Sequence, residues 1–207
     1  MKTITPDVEV LWATPDPEKW VAYAASQTMK EHPEIGNTDS LIEFLYRAEH
    51  RSVFEHVSMS IRLTGVSRAF MAQITRHRLA SFTCSSQHYQ DYRNYPVVQN
   101  TYTERMQMAI EDAIEAYKEA VNMGVPKHVA RMCLPEGMTV NMIMTANARE
   151  WAEIMHQRLC RRNTTETYIV CKEIFHKLFD WFPELFRFVG TQCREHSCLQ
   201  GYMRCSK

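Results

Sequence analysis

The segment QITRHRLASFTCSSQHY (residues 73–89) concentrates positive charge and hydroxyl groups in a short stretch of chain. Gln73, Arg76 and His77 have the spacing i, i+3 and i+4, so on a helix the three side chains would share one face. Arg76 and Arg78 flank His77, and each guanidinium offers a planar fork of donors that suits phosphate oxygens or the edge of an anionic ring. The alternative interpretation is a solvated basic turn, because arginine is mostly exposed in folded proteins.

A second polar pair lies in the second half of the chain. Asn147 and Arg158 are eleven residues apart, which is close to a whole number of helical turns. On a helix, Trp151 and Ile154 would lie on the same stripe between them. An apolar stripe with polar ends fits the border of a buried pocket, and it also fits a core-facing helix whose polar ends reach solvent.

Around these clusters, hydrophobic periodicity predicts helices and strands that are mixed without regular alternation. The predicted strands are Glu9–Ala13, Val57–Leu63, Leu79–Ser85 and Thr139–Met144. The predicted helices are Trp20–Met29, Leu41–Leu45, Ser67–Ile74, Thr103–Asn122, Pro126–Met132, Asn147–Arg161 and Thr165–Phe179. We therefore predict an α+β fold, a single mixed α/β domain over residues 1–207 with a central sheet flanked by helices.

Capping and breaking residues predict several boundaries. Asp16 is expected to cap the first helix, and the Asn-Thr-Asp sequence at residues 37–39 is expected to cap the second. Gly65 is expected to end a strand, and Ser67 is expected to open the next helix. Residues 94–100 are expected to form a loop.

The bulk composition argues against several classes of protein. The formal net charge is zero, whereas a general nucleic-acid binder has a basic excess. No stretch approaches the roughly 18 consecutive apolar residues of a membrane span, and residues 1–10 are too polar for a signal peptide. The cysteine count is odd and shows no small-domain disulfide spacing, which favours reduced thiols. We expect a cytoplasmic protein with no nucleic-acid or membrane partner.

Two groups of cysteines suggest separate hypotheses. Cys84 lies in the serine-rich segment near the arginines, where a thiolate would be a nucleophile; it equally fits a small, partly buried residue. Cys193, Cys198 and Cys205, with His196, have the ligand types that zinc prefers, but they lack a C-x2-C pair. We predict no metal site and keep a zinc site in the tail as the alternative.

The chain contains the pattern RHR-x7-S, in which Arg76-His77-Arg78 is followed by seven residues and then by Ser86. This pattern resembles that of the flavin-dependent thymidylate synthases. The resemblance runs from about residue 50 to residue 166, in the family's order and at close to its spacing. The other matching segments are His50-Arg51-Ser52-Val53-Phe54-Glu55-His56, Leu134-Pro135 with Thr139, and Asn147-Ala148-Arg149 followed by Arg158.

The resemblance implies an FAD-dependent methyltransferase with a thymidylate synthase-complementing-protein-like fold. Such an enzyme transfers a one-carbon unit from methylene-tetrahydrofolate to C5 of dUMP, with NADPH as reductant, and gives dTMP. It also implies a homotetramer whose active sites lie between subunits. The flavin would supply the hydride chemistry, and the protein would supply orientation and electrostatics.

By position, the resemblance also implies a role for each site residue. The flavin-contacting residues would be His50, Ser52, Arg76, His77, Arg78 and Asn147. The nucleotide-binding residues would be Gln73, Ser86, His88, Arg131 and Arg158. Arg158 and Ser86 would be the catalytic residues, with Arg158 facing the uracil ring and stabilising enolate-like charge on it.

Some positions depart from the family pattern. The family usually has Asn-Glu before the motif serine and Arg-Tyr after it, whereas this chain has Thr83-Cys84 and His88-Tyr89. The later Ala-Gln-Trp-Glu of the family is Asn-Thr-Thr-Glu here, at residues 163–166. An arginine phosphate donor is thus absent at His88, and a glutamate is absent at Cys84. These changes fall among the nucleotide-binding positions.

The departures leave alternative functions open. The first alternative is a flavoenzyme of the same fold that methylates or hydroxymethylates C5 of another uridine nucleotide. The second is a paralogue that binds nucleotide or flavin without catalysis. An RNA-binding module that uses the arginine cluster is disfavoured by the zero net charge.

Overall fold

The computed structural model describes residues 1–28, 38–191, 193 and 198. The strands in these residues are β1 (Thr3–Ile4), β2 (Asp7–Ala13), β3 (Ser58–Ser67), β4 (Ser81–Cys84), β5 (Val97–Val98) and β6 (Thr139–Asn147). The α-helices are α1 (Pro17–Ser26), α2 (Thr38–Arg47), α3 (Arg68–Ile74), α4 (Glu104–Asn122), α5 (Lys127–Ala130), α6 (Ala148–Arg158), α7 (Thr165–Trp181) and α8 (Pro183–Phe186). Two 3₁₀ segments, Arg51–His56 and Arg131–Cys133, complete the described elements. A sheet flanked by helices confirms the predicted mixed α/β class.

Four strands form one sheet in the order β2-β3-β6-β4. The short strands β1 and β5 form a second, parallel pair in which Thr3 pairs with Val97 and Ile4 with Val98. The prediction of a loop at residues 94–100 is therefore wrong where β5 lies. A strand of two residues has no periodicity to detect, and its partner is distant in the sequence.

Gly65 lies within β3, so the prediction that it ends the strand is wrong. Its φ of +74° is in the left-handed region, which glycine adopts without a steric penalty. A Cβ at this position would lie 3.1 Å from Cγ2 of Ile4, and the Gly65 N–H donates to Oδ1 of Asn141 at 3.0 Å. The glycine therefore allows a local turn and a close approach without interrupting the pairing.

The predicted caps have mixed outcomes. Ser67 caps α3 as predicted, because its hydroxyl accepts a hydrogen bond from the N–H of Phe70 at 2.9 Å. Asp16 occupies the N-cap position of α1 as predicted, but its backbone is left-handed and its side chain makes no capping hydrogen bond. A capping side chain needs the extended backbone that Asp16 lacks. The cap predicted at residues 37–39 starts at Asn37, which lies outside the described residues.

The first of two compact units contains Met1–Glu9, Arg62–Arg76 and Phe82–Met144. Its core includes Tyr92, Val97, Tyr117, Ala130 and Met138. Helix α4 presents an apolar face to this core through buried Tyr117 and half-buried Ile110, Ile114 and Val121, whereas Met106 is 46% exposed. The Tyr117 hydroxyl accepts a hydrogen bond from the N–H of Tyr92 at 3.2 Å.

The second unit contains the described residues of Val10–Ile61, His77–Ser81 and Thr145–Lys207. Within it, α6 packs against α7 and against the first 3₁₀ segment. Trp151 and Ile154 are fully buried, as the stripe on this helix predicts, and the indole N–H of Trp151 donates to the carbonyl of Met59 at 3.2 Å. The interpretation of residues 1–207 as a single domain stays a prediction.

No helix among the described residues has both the length and the apolar composition needed to cross a membrane.

Candidate active site

The RHR segment (residues 76–78) follows helix α3 instead of continuing it. Both the N–H and the hydroxyl of Thr75 donate to the carbonyl four residues earlier, at 3.1 and 2.8 Å. A hydroxyl that occupies a carbonyl of the last turn offers the backbone an alternative to further helical hydrogen bonds. The common helical face predicted for Gln73, Arg76 and His77 is therefore wrong, since Arg76 and His77 lie in the turn beyond the helix.

The side chains of the RHR segment differ in exposure. His77 is 7% exposed, whereas Arg76 and Arg78 are exposed. Within the part of the chain that the structure describes, neither arginine has a recorded hydrogen-bond or ion-pair partner. Two accessible guanidinium groups beside a buried imidazole suit a ligand with anionic oxygens or a polar planar ring.

Arg158, the last residue of α6, contacts His77. Its Nε donates a hydrogen bond to Nε2 of His77 at 3.0 Å. Burial, and secondly the positive charge of Arg158, lower the pKa of His77 to about 4. His77 is therefore a neutral acceptor at neutral pH, and it fixes one edge of the guanidinium.

A buried carboxylate lies on the opposite side of the imidazole. Oε1 of Glu150 is 3.7 Å from Nδ1 of His77, and Glu150 is 6% exposed. Burial, followed by the neighbouring Glu153 carboxylate, raises the pKa of Glu150, while Arg149 acts in the opposite direction. Glu150 was not among the site residues predicted from the sequence. The available signal is its position three residues after Asn147, on the buried side of α6.

Asn147 has a structural role at the start of α6. Its Oδ1 accepts a hydrogen bond from the N–H of Glu150 at 2.9 Å, so Asn147 is the N-cap of the helix. The amide has a separate NH₂ group that can donate to a ligand. The observed cap is therefore compatible with the flavin contact that the sequence resemblance implies.

Asn163 is a second residue that the sequence analysis did not assign to the site. Its Nδ2 donates to the carbonyls of Gln157 and Cys160, both at 2.9 Å. Its Oδ1 lies 3.5 Å from Nη1 of Arg158. Asn163 thus holds the turn after α6 beside the Arg158 side chain, at a position where this chain departs from the family pattern.

His50 and Ser52 are exposed at the start of the first 3₁₀ segment. The His50 ring lies 6.1 Å from the ring of Phe44. Both polar side chains are accessible to a ligand in the second unit, which also contains His77.

The predicted nucleotide-binding residues mostly lie in the first unit. Ser86 is half-buried, and its hydroxyl accepts a hydrogen bond from the N–H of His88 at 3.2 Å. Gln73 in α3 and Arg131 in the second 3₁₀ segment are half-buried as well. The predicted site residues of the second unit are His50, Ser52, His77, Arg78, Asn147 and Arg158. Those of the first unit are Gln73, Arg76, Ser86, His88 and Arg131.

His88 belongs to a basic surface that the sequence analysis did not predict. Its ring stacks on that of His128 with centroids 5.2 Å apart, and it meets the edge of Tyr89 at 4.5 Å. Nζ of Lys127 donates to the carbonyl of Tyr89 at 3.1 Å. Two imidazoles and an ammonium therefore lie close together at the position where the family usually has an arginine.

Residues 9–184 match the family model described as thymidylate synthase complementing protein. The chain belongs to this family.

Named relatives of the thymidylate synthase complementing family match most of the chain. A flavin-dependent thymidylate synthase of Geobacter sulfurreducens is 31% identical, over 97% of this chain and 94% of its own length. One of Sulfurisphaera tokodaii is also 31% identical, over 92% and 80% respectively. The crystal structure of the UMP/dUMP methylase PolB from Streptomyces cacaoi, bound with 5-Br dUMP, has a TM-score of 0.78 and 22% identity. The structural match covers 92% of this chain and 98% of the PolB chain, and it supports the mixed α/β fold described above.

Cys84 occupies a position where the family usually has glutamate. The side chain is half-buried. Burial raises the pKa of the Cys84 thiol, and the charge of Arg68 only partly opposes this. The residue thus favours the neutral thiol over the thiolate, which supports its interpretation as a small packing residue and not a nucleophile.

The cysteines of the tail show no metal site in the part that can be described. Among the described residues, no group of three or more histidine, cysteine or acidic side chains is arranged to hold a metal ion. Cys193 and Cys198 are free thiols. His196 and Cys205 lie outside the described residues, so the zinc alternative is untested.

Proposed function

We propose that the chain is an FAD-dependent thymidylate synthase that transfers a one-carbon unit from methylene-tetrahydrofolate to C5 of dUMP, with NADPH as reductant. The observation that supports it best is the Arg158–His77 hydrogen bond of 3.0 Å, which links the RHR segment to the arginine implied to face uracil. The curated relatives at 31% identity bear the name of this activity.

The residues around the RHR segment fit a flavin. Arg76 and Arg78 are exposed and offer donors for phosphate oxygens and for the polar edge of an isoalloxazine ring. His50, Ser52 and the amide of Asn147 add neutral polar groups, and His77 would contact the ring from its buried position. When bound, the flavin supplies hydride transfer. The protein's part is to bind and orient it.

Arg158 is proposed to act on the uracil ring. A uracil ring that is activated for attack from C5 carries enolate-like charge, and a guanidinium already held in place stabilises that charge without reorganising. The hydrogen bond to His77 restricts the plane of the guanidinium. Because His77 is neutral, this contact adds no second positive charge beside the substrate.

The nucleotide phosphate is assigned to the first unit. Gln73, Ser86 and Arg131 provide an amide, a hydroxyl and a guanidinium, which are common phosphate ligands. His88 stands where the family has an additional arginine. His128 and Lys127, which lie beside the His88–Tyr89 segment, are further candidates for the phosphate contact.

A second candidate function is C5 methylation of another uridine nucleotide. Cys84 and His88 motivate it, because both replace family residues at nucleotide-binding positions. The test is to follow product formation from dUMP, UMP and uridine with the same one-carbon donor. We expect turnover of dUMP in excess of the other two. Turnover of UMP with none of dUMP would replace the first proposal with the second.

We also propose that the enzyme is a cytoplasmic homotetramer. The tetramer is what the family resemblance implies, and active sites between subunits would require it. Light scattering at micromolar concentration tests this. A stable monomer of 24.3 kDa that retains activity would rule out the tetramer.

A further inference from the structure

Three polar side chains of the second unit lie in a line, in the order Glu150, His77 and Arg158. Oε1 of Glu150 is 3.7 Å from Nδ1 of His77, and Nε2 of His77 is 3.0 Å from Nε of Arg158. Glu150 and Arg158 are both in α6, where eight residues make slightly more than two turns, so they project from the same side of the helix. The imidazole of His77 lies between the Glu150 carboxylate, near the start of the helix, and the Arg158 guanidinium at its end.

The hydrogen-bond chemistry of the line selects one tautomer of His77. An arginine Nε–H is always a donor, so Nε2 of His77 must be an acceptor. The single proton of the neutral ring is therefore on Nδ1, which faces the Glu150 carboxylate. The opposite tautomer would set two N–H groups against each other at Nε2 and a lone pair against the carboxylate at Nδ1.

The position of Glu150 is itself well defined. Its N–H is bonded to the Asn147 side chain at 2.9 Å, and its side chain is buried. The 3.7 Å separation from Nδ1 is longer than a hydrogen bond, so the carboxylate acts through its charge. A negative charge at this distance in a buried site favours a proton on Nδ1.

We propose that Glu150 is a positioning residue that acts on Arg158 through His77. It favours the Nδ1–H tautomer, which keeps Nε2 available to Arg158 and so keeps the guanidinium plane fixed. The consequence for catalysis rests on the proposed role of Arg158 toward uracil. The tautomer itself does not depend on that role.

The variant Glu150→Gln tests the proposal because it removes the charge with almost no change in shape. A glutamine amide can donate to Nδ1, which permits the Nε2–H tautomer and displaces Arg158. The matched control is Glu153→Gln, the same chemical change one turn later on α6, at an exposed side chain. Thermal unfolding of both variants establishes that each is folded.

The first readout is the tautomer of His77, observed by NMR of the purified protein labelled with ¹⁵N in the histidine rings. His77→Gln identifies the signal. We expect a protonated Nδ1 and a bare Nε2 in the wild type and in Glu153→Gln, and a shift of the proton toward Nε2 in Glu150→Gln. A wild-type ring protonated on Nε2, or an unchanged tautomer in Glu150→Gln, would overturn the proposal.

The second readout is the steady-state turnover of dUMP. We expect kcat of Glu150→Gln to fall by about tenfold or more, with flavin binding retained, and we expect no such loss in Glu153→Gln. In a His77→Gln background the Glu150 substitution should have no further effect, because the connecting ring is gone. Equal losses in both backgrounds would overturn the proposal. A tautomer shift in a protein that turns over no dUMP would instead count against the proposed function.

Discussion

Nε of Arg158 donates to Nε2 of His77 at 3.0 Å, so the last residue of α6 is joined to the middle residue of the RHR segment. His77 is buried and neutral. The contact therefore orients the guanidinium without adding charge. It connects two sequence features that are far apart in the chain.

Arg158→Lys is expected to retain flavin binding and to lose most dUMP turnover. Lysine keeps the positive charge but lacks the planar fork, so it cannot donate to His77 and also make a two-point contact with the uracil edge. Steady-state kinetics with the flavin-loaded protein measure the loss. Turnover within about twofold of wild type, a barrier change below roughly 0.4 kcal/mol, would show that Arg158 does not have this role.

Two substitutions at Asn147 should separate its structural role from its role toward flavin. Aspartate is a good N-cap but has no NH₂ group, so Asn147→Asp is expected to keep the stability of the wild type and to bind flavin more weakly. Asn147→Ala is expected to lose about 1 kcal/mol of unfolding free energy as well as flavin affinity. Urea unfolding without flavin, and fluorescence titration with FAD, measure the two effects. Unchanged FAD affinity in Asn147→Asp would remove Asn147 from the flavin site.

The pattern of periodic elements was predictable because it is local. The strand β3, the helix α4 and the buried stripe of α6 each follow from residues close together in the chain. The elements that depend on distant partners were not predictable in this way. The pairing of β5 with β1 is one example, and it leaves no signal within residues 94–100.

The site was predictable only in part for a similar reason. The RHR segment and Arg158 stand out as residue types at a characteristic spacing. Their contact requires the tertiary fold, and so does the burial of Glu150 beside His77. The end of α3 before Arg76 depends on the hydroxyl of Thr75, whose choice between solvent and a backbone carbonyl is not visible in the pattern of apolar residues.

The unfolding free energy should decrease on acidification because of His77. Burial, and then the charge of Arg158, lower its folded-state pKa from 6.5 to about 4. Between these values the unfolded chain binds more protons than the folded protein, so stability falls as the pH falls through this window. The loss is up to about 3 kcal/mol. Urea unfolding from neutral pH to about pH 4 measures it.

The control for the acid effect is His77→Gln. The raised pKa of Glu150 has the opposite sign, since it contributes stability at low pH that is lost as the pH rises. The difference in unfolding free energy between wild type and variant, taken at each pH, therefore isolates the contribution of His77. We expect a shallower loss of stability on acidification in the variant. If the unfolding free energy depended on pH in the same way in both proteins, the pKa of His77 would not be lowered.

His88→Arg is expected to tighten the binding of dUMP, because a guanidinium is always charged and offers a planar fork of donors to phosphate oxygens. The family has an arginine at this position, and the side chain stacks beside His128. Calorimetric titration of dUMP measures the affinity. His176→Arg, at an exposed histidine of α7, is the matched control. Equal affinity in the wild type and both variants would indicate that Lys127 or another group contacts the phosphate in place of His88.

This chain is proposed to be a flavin enzyme that acts on dUMP. The most direct measurement is the visible absorption spectrum of the purified protein after incubation with FAD, followed by NADPH oxidation with and without dUMP in the presence of methylene-tetrahydrofolate. We predict a bound-flavin spectrum, NADPH oxidation and formation of dTMP that requires dUMP. A protein that shows no flavin absorbance after incubation with excess FAD, and forms no dTMP, would contradict the account.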